Sequence, residues 1–405
     1  VTSIVPDAIS LSALPSLLAG CLVLVLGGVM ADRLPLLARF NIPAPIVGGL
    51  SFAVAVLLVE SAGGPHLILD TSPKAALLLL FFASIGLTAD LSLLRRGGAH
   101  LLRFLVVLFP FLLAQNVLGV VIAKLLGLHP VLGLVAGSIT LAGGHGTGAA
   151  YAERFAAEYN ILGILGLTMM SATIGLVLGG LIGGPVASWL VRRAGGAPAS
   201  PAATAGVMTG PVTTPVTTLS VVAVLAAGLP AVIAGQWLAE KVQGAGITIP
   251  EFLWCLIIGL IIRNGGAIVG IRLHDAAAEL MGSFCLSIFL VWTMMTLDLR
   301  SVISLAGPLL IILAAQTVLV VTWSIFVVFR LVGRDYEAAV SAGAFCGFAM
   351  GATATAIANM QAIVGRYGPA PKSFVVVPIV GAFFVDLMNL AVLTVFLLPG
   401  FIIRP

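Results

Sequence analysis

The apolar residues of this chain come in blocks of about 20, set apart by short segments that hold most of the charge. A helix of that length crosses the ~30 Å hydrocarbon core of a bilayer. Within lipid every backbone polar group must be satisfied internally, so only helices and closed barrels cross it. Barrel strands need only about 10 residues, so blocks of this length point to helices. The expected fold class is therefore an all-α polytopic membrane protein. Only 8% of the 405 residues are charged, against about 25% in soluble domains. Too little charge is present to dress a water-facing surface. No basic segment with a cleavage site precedes the first block, which is read as a span.

Ten spans are expected, at about Leu11–Ala31, Pro43–Val59, Ala75–Leu94, Leu101–Leu126, Ile161–Val191, Leu219–Leu238, Ile249–Ile262, Ala278–Leu297, Ala306–Phe329 and Phe374–Leu398. Two further apolar segments, about 131–151 and 338–363, are crowded with Gly, Ala, Ser and Thr. They suit re-entrant hairpins, because irregular backbone at membrane depth is tolerated only inside protein or beside a water-filled cavity. Residues 194–218 are rich in Ala, Gly, Pro and Thr and uncharged, which is linker composition.

The two sides of that linker, residues 1–193 and 219–405, resemble each other. Ile42-Pro43 and Ile249-Pro250 each open a span; Asp90-Leu91 and Asp298-Leu299 each end one. Ala114-Gln115-Asn116-Val117 recurs as Ala315-Gln316-Thr317-Val318, and Gly146-Thr147-Gly148 answers to Ala352-Thr353-Ala354. Most of these pairs lie 206 to 208 residues apart. Each half then holds five transmembrane helices and one hairpin. Five being odd, the halves have opposite topology: two inverted repeats, a transporter architecture. With both termini outside, Lys and Arg divide 13 inside to 6 outside, which favours that orientation. The net charge of +4 is scattered through short loops, so it reports topology and no nucleic-acid partner. Cys21, Cys255, Cys285 and Cys346 sit singly in apolar segments and read as small buried hydrophobes.

Functional candidates cluster at the hairpins and in the last span. Residues 143–148 carry four glycines. They allow a sharp turn and close backbone approach to a ligand. A helix starting just beyond points free N–H groups at the tip, which suits a carboxylate. Substrate candidates on this segment are Ser138, Thr140, Gly143, Gly144, His145, Gly146 and Thr147. On the second hairpin they are Gly351, Thr353, Thr355 and Asn359, which supply hydroxyls and an amide. Tight packing of small residues and polar helix caps are the structural alternatives for these segments. Asp386 falls in mid-span, where a carboxylate costs roughly 2.5–3.5 kcal/mol, and Asn389 is three residues on. A carboxylate with neutral oxygens is a sodium-type ligand set, and a buried structural hydrogen bond is the alternative. His145 has no metal-ligand partner. Asp90 and Asp298 lie near span ends, and Gln115, Asn116 and Gln316 suit interhelix bonding as well as ligand contact.

At these motifs the sequence resembles the bacterial sodium–glutamate symporter family, over about residues 12–400. The resemblance rests on Gly143-Gly-His-Gly-Thr-Gly-Ala-Ala150, Leu176-Val-Leu-Gly-Gly-Leu-Ile-Gly-Gly-Pro-Val186, Thr355-Ala-Ile-Ala-Asn-Met-Gln-Ala362 and Val377-Pro-Ile-Val-Gly-Ala-Phe-Phe384. Where the family carries Gly-Ala-Thr-Pro-Thr, this chain has Gly351-Ala-Thr-Ala-Thr355. The resemblance implies a non-enzymatic, multi-pass protein of the bacterial inner membrane. It implies sodium-coupled symport of L-glutamate, with Na+ as the coupling ion, in a homodimer surrounded by lipid. It also implies an elevator-like motion of a core domain that carries both hairpins against a dimerising scaffold. A proton- or sodium-coupled carrier of another small organic anion, such as a dicarboxylate, is the nearest alternative.

Overall fold

The computed structural model describes residues 8–35, 37, 42–161, 163–195, 215–243, 250–297 and 299–397. Most of the expected linker, Asp298 and the last residues of the chain lie outside them. Helices account for nearly all described secondary structure. In order they are α1 (Ala13–Arg33), α2 (Ala44–Ser61), α3 (Lys74–Thr88), α4 (Leu93–Leu125), α5 (Pro130–Leu134, running on through Val135–Ile139), α6 (Gly144–Tyr159) and α7 (Ile164–Arg193). Then follow α8 (Thr218–Gln243), α9 (Glu251–Ile268), α10 (Asp275–Met295), α11 (Leu299–Trp323, running on to Val332), α12 (Tyr336–Met350), α13 (Thr353–Tyr367) and α14 (Pro371–Ile379, running on to Phe396). The all-α expectation holds but for one patch: β1 (Ala8–Leu11) pairs in parallel with β2 (His66–Leu69). This clip ties the start of α1 to the α2–α3 connection, where Asp70 N donates to Leu11 O and to Ser16 Oγ.

Among the described residues eight helices are long and apolar enough to cross a membrane. Two of the ten expected spans take shorter forms. The third is α3, only 15 residues long; it stops at Thr88, ahead of a turn in which Ser92 N donates to Asp90 Oδ1. The tenth is α14, interrupted by a π-helical turn at Val380–Phe384. Pro43 and Pro250 cap α2 and α9 as the sequence suggests, since proline fits where no intrahelical N–H partner is needed.

The outside of the molecule is apolar. Leu14, Leu18, Leu22, Val25 and Leu26 stand exposed along α1, and Leu219, Val222, Ile233 and Trp237 along α8. Such faces are a liability in water and the natural surface in lipid. Helices α1, α2, α3, α8, α9 and α10 pack on one another, and α4–α7 pack with α11–α14. The two sets touch at few places, among them α10 against α6 and α3 against the π-helical turn of α14.

Candidate functional site

Both helix breaks open on one cavity of about 390 Å³. At the first, α5 ends and α6 starts at Gly144, with Gly143 as its cap residue. At the second, α12 ends at Met350, Gly351 leaves helical geometry, Ala352 is extended, and α13 starts at Thr353. The breaks meet: a Cβ added at Gly144 would lie 3.5 Å from Gly351 O. Two helix N-termini therefore face the same space with their unpaired N–H groups, an arrangement suited to anions. Ala354 is the second residue of α13, a position that also accepts proline, as Pro45 shows in α2. The change from the family motif thus leaves the break in place.

Seven of the thirteen sequence candidates line this cavity: Gly143, Gly144, His145, Gly146, Gly351, Thr353 and Asp386. Asp386 is half-buried, and among the described residues no ion pair engages it. Thr353 Oγ1 donates to Gly381 O at 2.8 Å, fastening the second break to the π-helical turn of α14. Thr173 Oγ1 donates to Met169 O, so the 3.1 Å contact between His145 Nε2 and that hydroxyl has the ring as donor. This anchors the imidazole to α7.

The other six candidates are buried away from the cavity. Thr140 Oγ1 donates to Val135 O at 2.7 Å and contacts Ser171 Oγ at 2.8 Å. Thr147 is buried behind the first break, and Thr355 is buried with no protein partner for its hydroxyl. Asn359 Nδ2 donates to Gly179 O and Gly343 O, joining α13 to α7 and α12. Ser138 and Asn389 meet each other: Asn389 Nδ2 donates to Ser138 O at 2.9 Å. Asp386 and Asn389 therefore face different surroundings despite their spacing.

The opposite wall was not foreseen. It is formed by Pro43 and Pro45 of the α2 entry, Phe81 of α3, and Ser283, Leu286 and Ser287 of α10. A serine pair at i, i+4 in an otherwise apolar span was the available signal.

A family model described as the sodium/glutamate symporter matches residues 9–369. The chain belongs to the sodium/glutamate symporter family. The Escherichia coli K12 sodium/glutamate symporter is 41% identical over 395 residues, which is 96% of this chain and 98% of that protein. The Haemophilus influenzae sodium/glutamate symporter is 40% identical over 390 residues, 95% of this chain and 96% of that one. Relatives so named are transporters and not enzymes. Multiple apolar helices and bacterial relatives together make this family member a multi-pass membrane protein.

Proposed function

We propose that this chain moves L-glutamate across the bacterial inner membrane together with Na+, by an elevator-like displacement of a core that carries both helix breaks. The observation that carries the reading is the shared cavity, where two helix N-termini and one carboxylate converge. Its size is that of a small-molecule site. Glutamate presents two carboxylates, one for each helix start, and an ammonium. Asp386 and Asn389 are sodium ligands in this reading, each in its own surroundings, and the residues of the two breaks are the substrate contacts.

The inverted repeat is supported by paired contacts. Matching α1–α7 with α8–α14, the contact of α2 with α10 has its counterpart in α9 with α3, and that of α1 with α10 in α8 with α3. Repeat-equivalent Gln115 and Gln316 meet, with Gln316 Nε2 donating to Gln115 O at 2.8 Å. Proximity of equivalent residues is expected near a two-fold axis, although this bond is one-way: Gln115 Nε2 donates to Ala349 O. Helices α12 and α13, of 15 residues each, are no longer than α3, but they meet at a break that opens on the cavity. That break favours a re-entrant hairpin, with the α5–α6 pair as its equivalent. The sparse contact between the two helix sets is what a sliding core requires; the set of α1–α3 with α8–α10 is then the scaffold and supplies the homodimer interface. Both termini lie outside, from the distribution of Lys and Arg.

Proteoliposomes test the reading. Labelled glutamate should accumulate under an inward Na+ gradient and not under a matched choline gradient. Excess unlabelled glutamate should suppress uptake more than other amino, keto or dicarboxylic acids do. Absence of glutamate accumulation, with Na+- or proton-driven uptake of a labelled dicarboxylate in the same vesicles, would establish the alternative carrier.

A further inference from the structure

A group of buried polar side chains remains behind the cavity, at the crossing of α4, α5, α11 and α14. Gln115, Asn116, Ser138, Gln316 and Asn389 are all fully buried there, and none lines the cavity. They gather around an irregular stretch of α5, where Gly137 leaves helical geometry with φ −104° and ψ −138°. Ser138 N donates to Asn116 Oδ1 at 3.0 Å, and Ser138 O accepts from Asn389 Nδ2 at 2.9 Å. A Cβ on Gly137 would lie 3.4 Å from Gln115 O, the carbonyl that receives Gln316 Nε2.

The hydrogen bonding is one-sided. Gln115, Gln316 and Asn389 each donate their amide N–H groups to a backbone carbonyl. Each leaves its amide oxygen without a protein partner, and Ser138 Oγ is likewise unpartnered. Four buried oxygens thus lack a protein partner, and the free donors in the group are Asn116 Nδ2 and the Ser138 hydroxyl itself. Three of the four, Gln115 Oε1, Gln316 Oε1 and Asn389 Oδ1, are amide oxygens that can only accept, and one cation satisfies several such oxygens at once. All four oxygens are neutral, which fits one positive charge rather than two. Unwound backbone at membrane depth beside such oxygens is the setting in which coupling cations bind.

We infer that this crossing is a monovalent-cation site, separate from the Asp386 cavity, in which Asn389 Oδ1, Ser138 Oγ and Gln316 Oε1 are ligands. The inference rests on the sodium-coupled reading above and assigns Asn389 to its own site. Ser138 and Asn389 lie on the two elements that carry the first break and Asp386. A cation between them fixes the geometry of the cavity before substrate arrives.

The test uses the purified full-length protein without glutamate. Its melting midpoint is followed as NaCl replaces choline chloride at constant ionic strength. The parent should show a saturable, Na+-specific rise. Ser138→Ala removes an unpartnered hydroxyl, so melting in choline should be unchanged, while the half-saturating Na+ concentration rises about tenfold. Gln316→Leu should shift it in the same direction, and serves alone if Ser138→Ala does not fold. A parent response equal in Na+ and choline would show a hydrated cluster and overturn the site. So would unchanged half-saturation in both variants while Asp386→Asn alters it. In that case sodium-dependent uptake by the parent still stands, so failure of the site is distinguished from failure of the transport reading.

Discussion

Gly144 has φ +66°, a conformation that costs an L-residue about 1–2 kcal/mol. It also sits against Gly351 O of the second break. We expect Gly144→Val to abolish uptake while the protein still inserts, as judged by membrane protein levels. Near-normal uptake would mean that the tip does not approach substrate. Gly146 has a different constraint. A Cβ there would lie 2.5 Å from Phe81 Cε1 of α3, so a side chain wedges the tip from its facing wall. Gly146→Val should likewise abolish uptake, and Phe81→Ala in the same chain should restore part of it. Asp386→Asn keeps the shape of the side chain and removes its charge. It should raise the Na+ concentration for half-maximal uptake by about tenfold or more, with protein levels matched to the parent. An unchanged sodium dependence would assign Asp386 to structure or to the substrate's ammonium.

Among helices, close crossings depend on residues without side chains. Gly86 of α3 meets Gly259 of α9, and a Cβ on Gly86 would lie 2.7 Å from Leu260 N and nearer still to Leu256 O. Both obstacles are backbone, which cannot rotate aside. Gly86→Val should therefore force α3 off α9 and destabilise the protein by about 1–3 kcal/mol. A thermal melt of the solubilised protein reads this as a lower midpoint; an unchanged midpoint would contradict the crossing. The π-helical turns are the other element-scale device. Two of the three described, at Val135–Ile139 and Val380–Phe384, adjoin the breaks and bring Ser138 and Gly381 into contact with α14 and α13 respectively. Such turns occur often at functional sites.

At the scale of the molecule, the ion pair of Lys74 Nζ with Glu153 Oε1, 2.7 Å long, joins α3 of one helix set to α6 of the other. If the sets slide, this contact breaks in every cycle. Cysteines at both positions, joined by a short bifunctional thiol reagent, should block uptake, and cleaving the reagent should restore it. Uptake that survives complete cross-linking would rule out motion at this boundary. Orientation is tested independently. A cysteine near Arg404 should react with an impermeant thiol reagent in intact cells, and labelling only after lysis would reverse the assigned topology.

Blocks of apolar residues determined the helices by themselves, because in lipid the backbone has no partner but its own chain. Pro43 and Pro250 marked two helix starts, and the glycines at 143–148 marked a break, since each acts on the backbone locally. Hydropathy did not reveal that α3 stops at Thr88, nor that β1 reaches β2, because a turn and a pairing across 58 residues leave no local trace in composition. Which nominated side chains share a space was decided only by packing. Asp386 and Asn389 are neighbours on one helix, yet one faces the cavity and the other Ser138. Spacing along a helix fixes direction about its axis, and only the surrounding helices decide what stands in that direction.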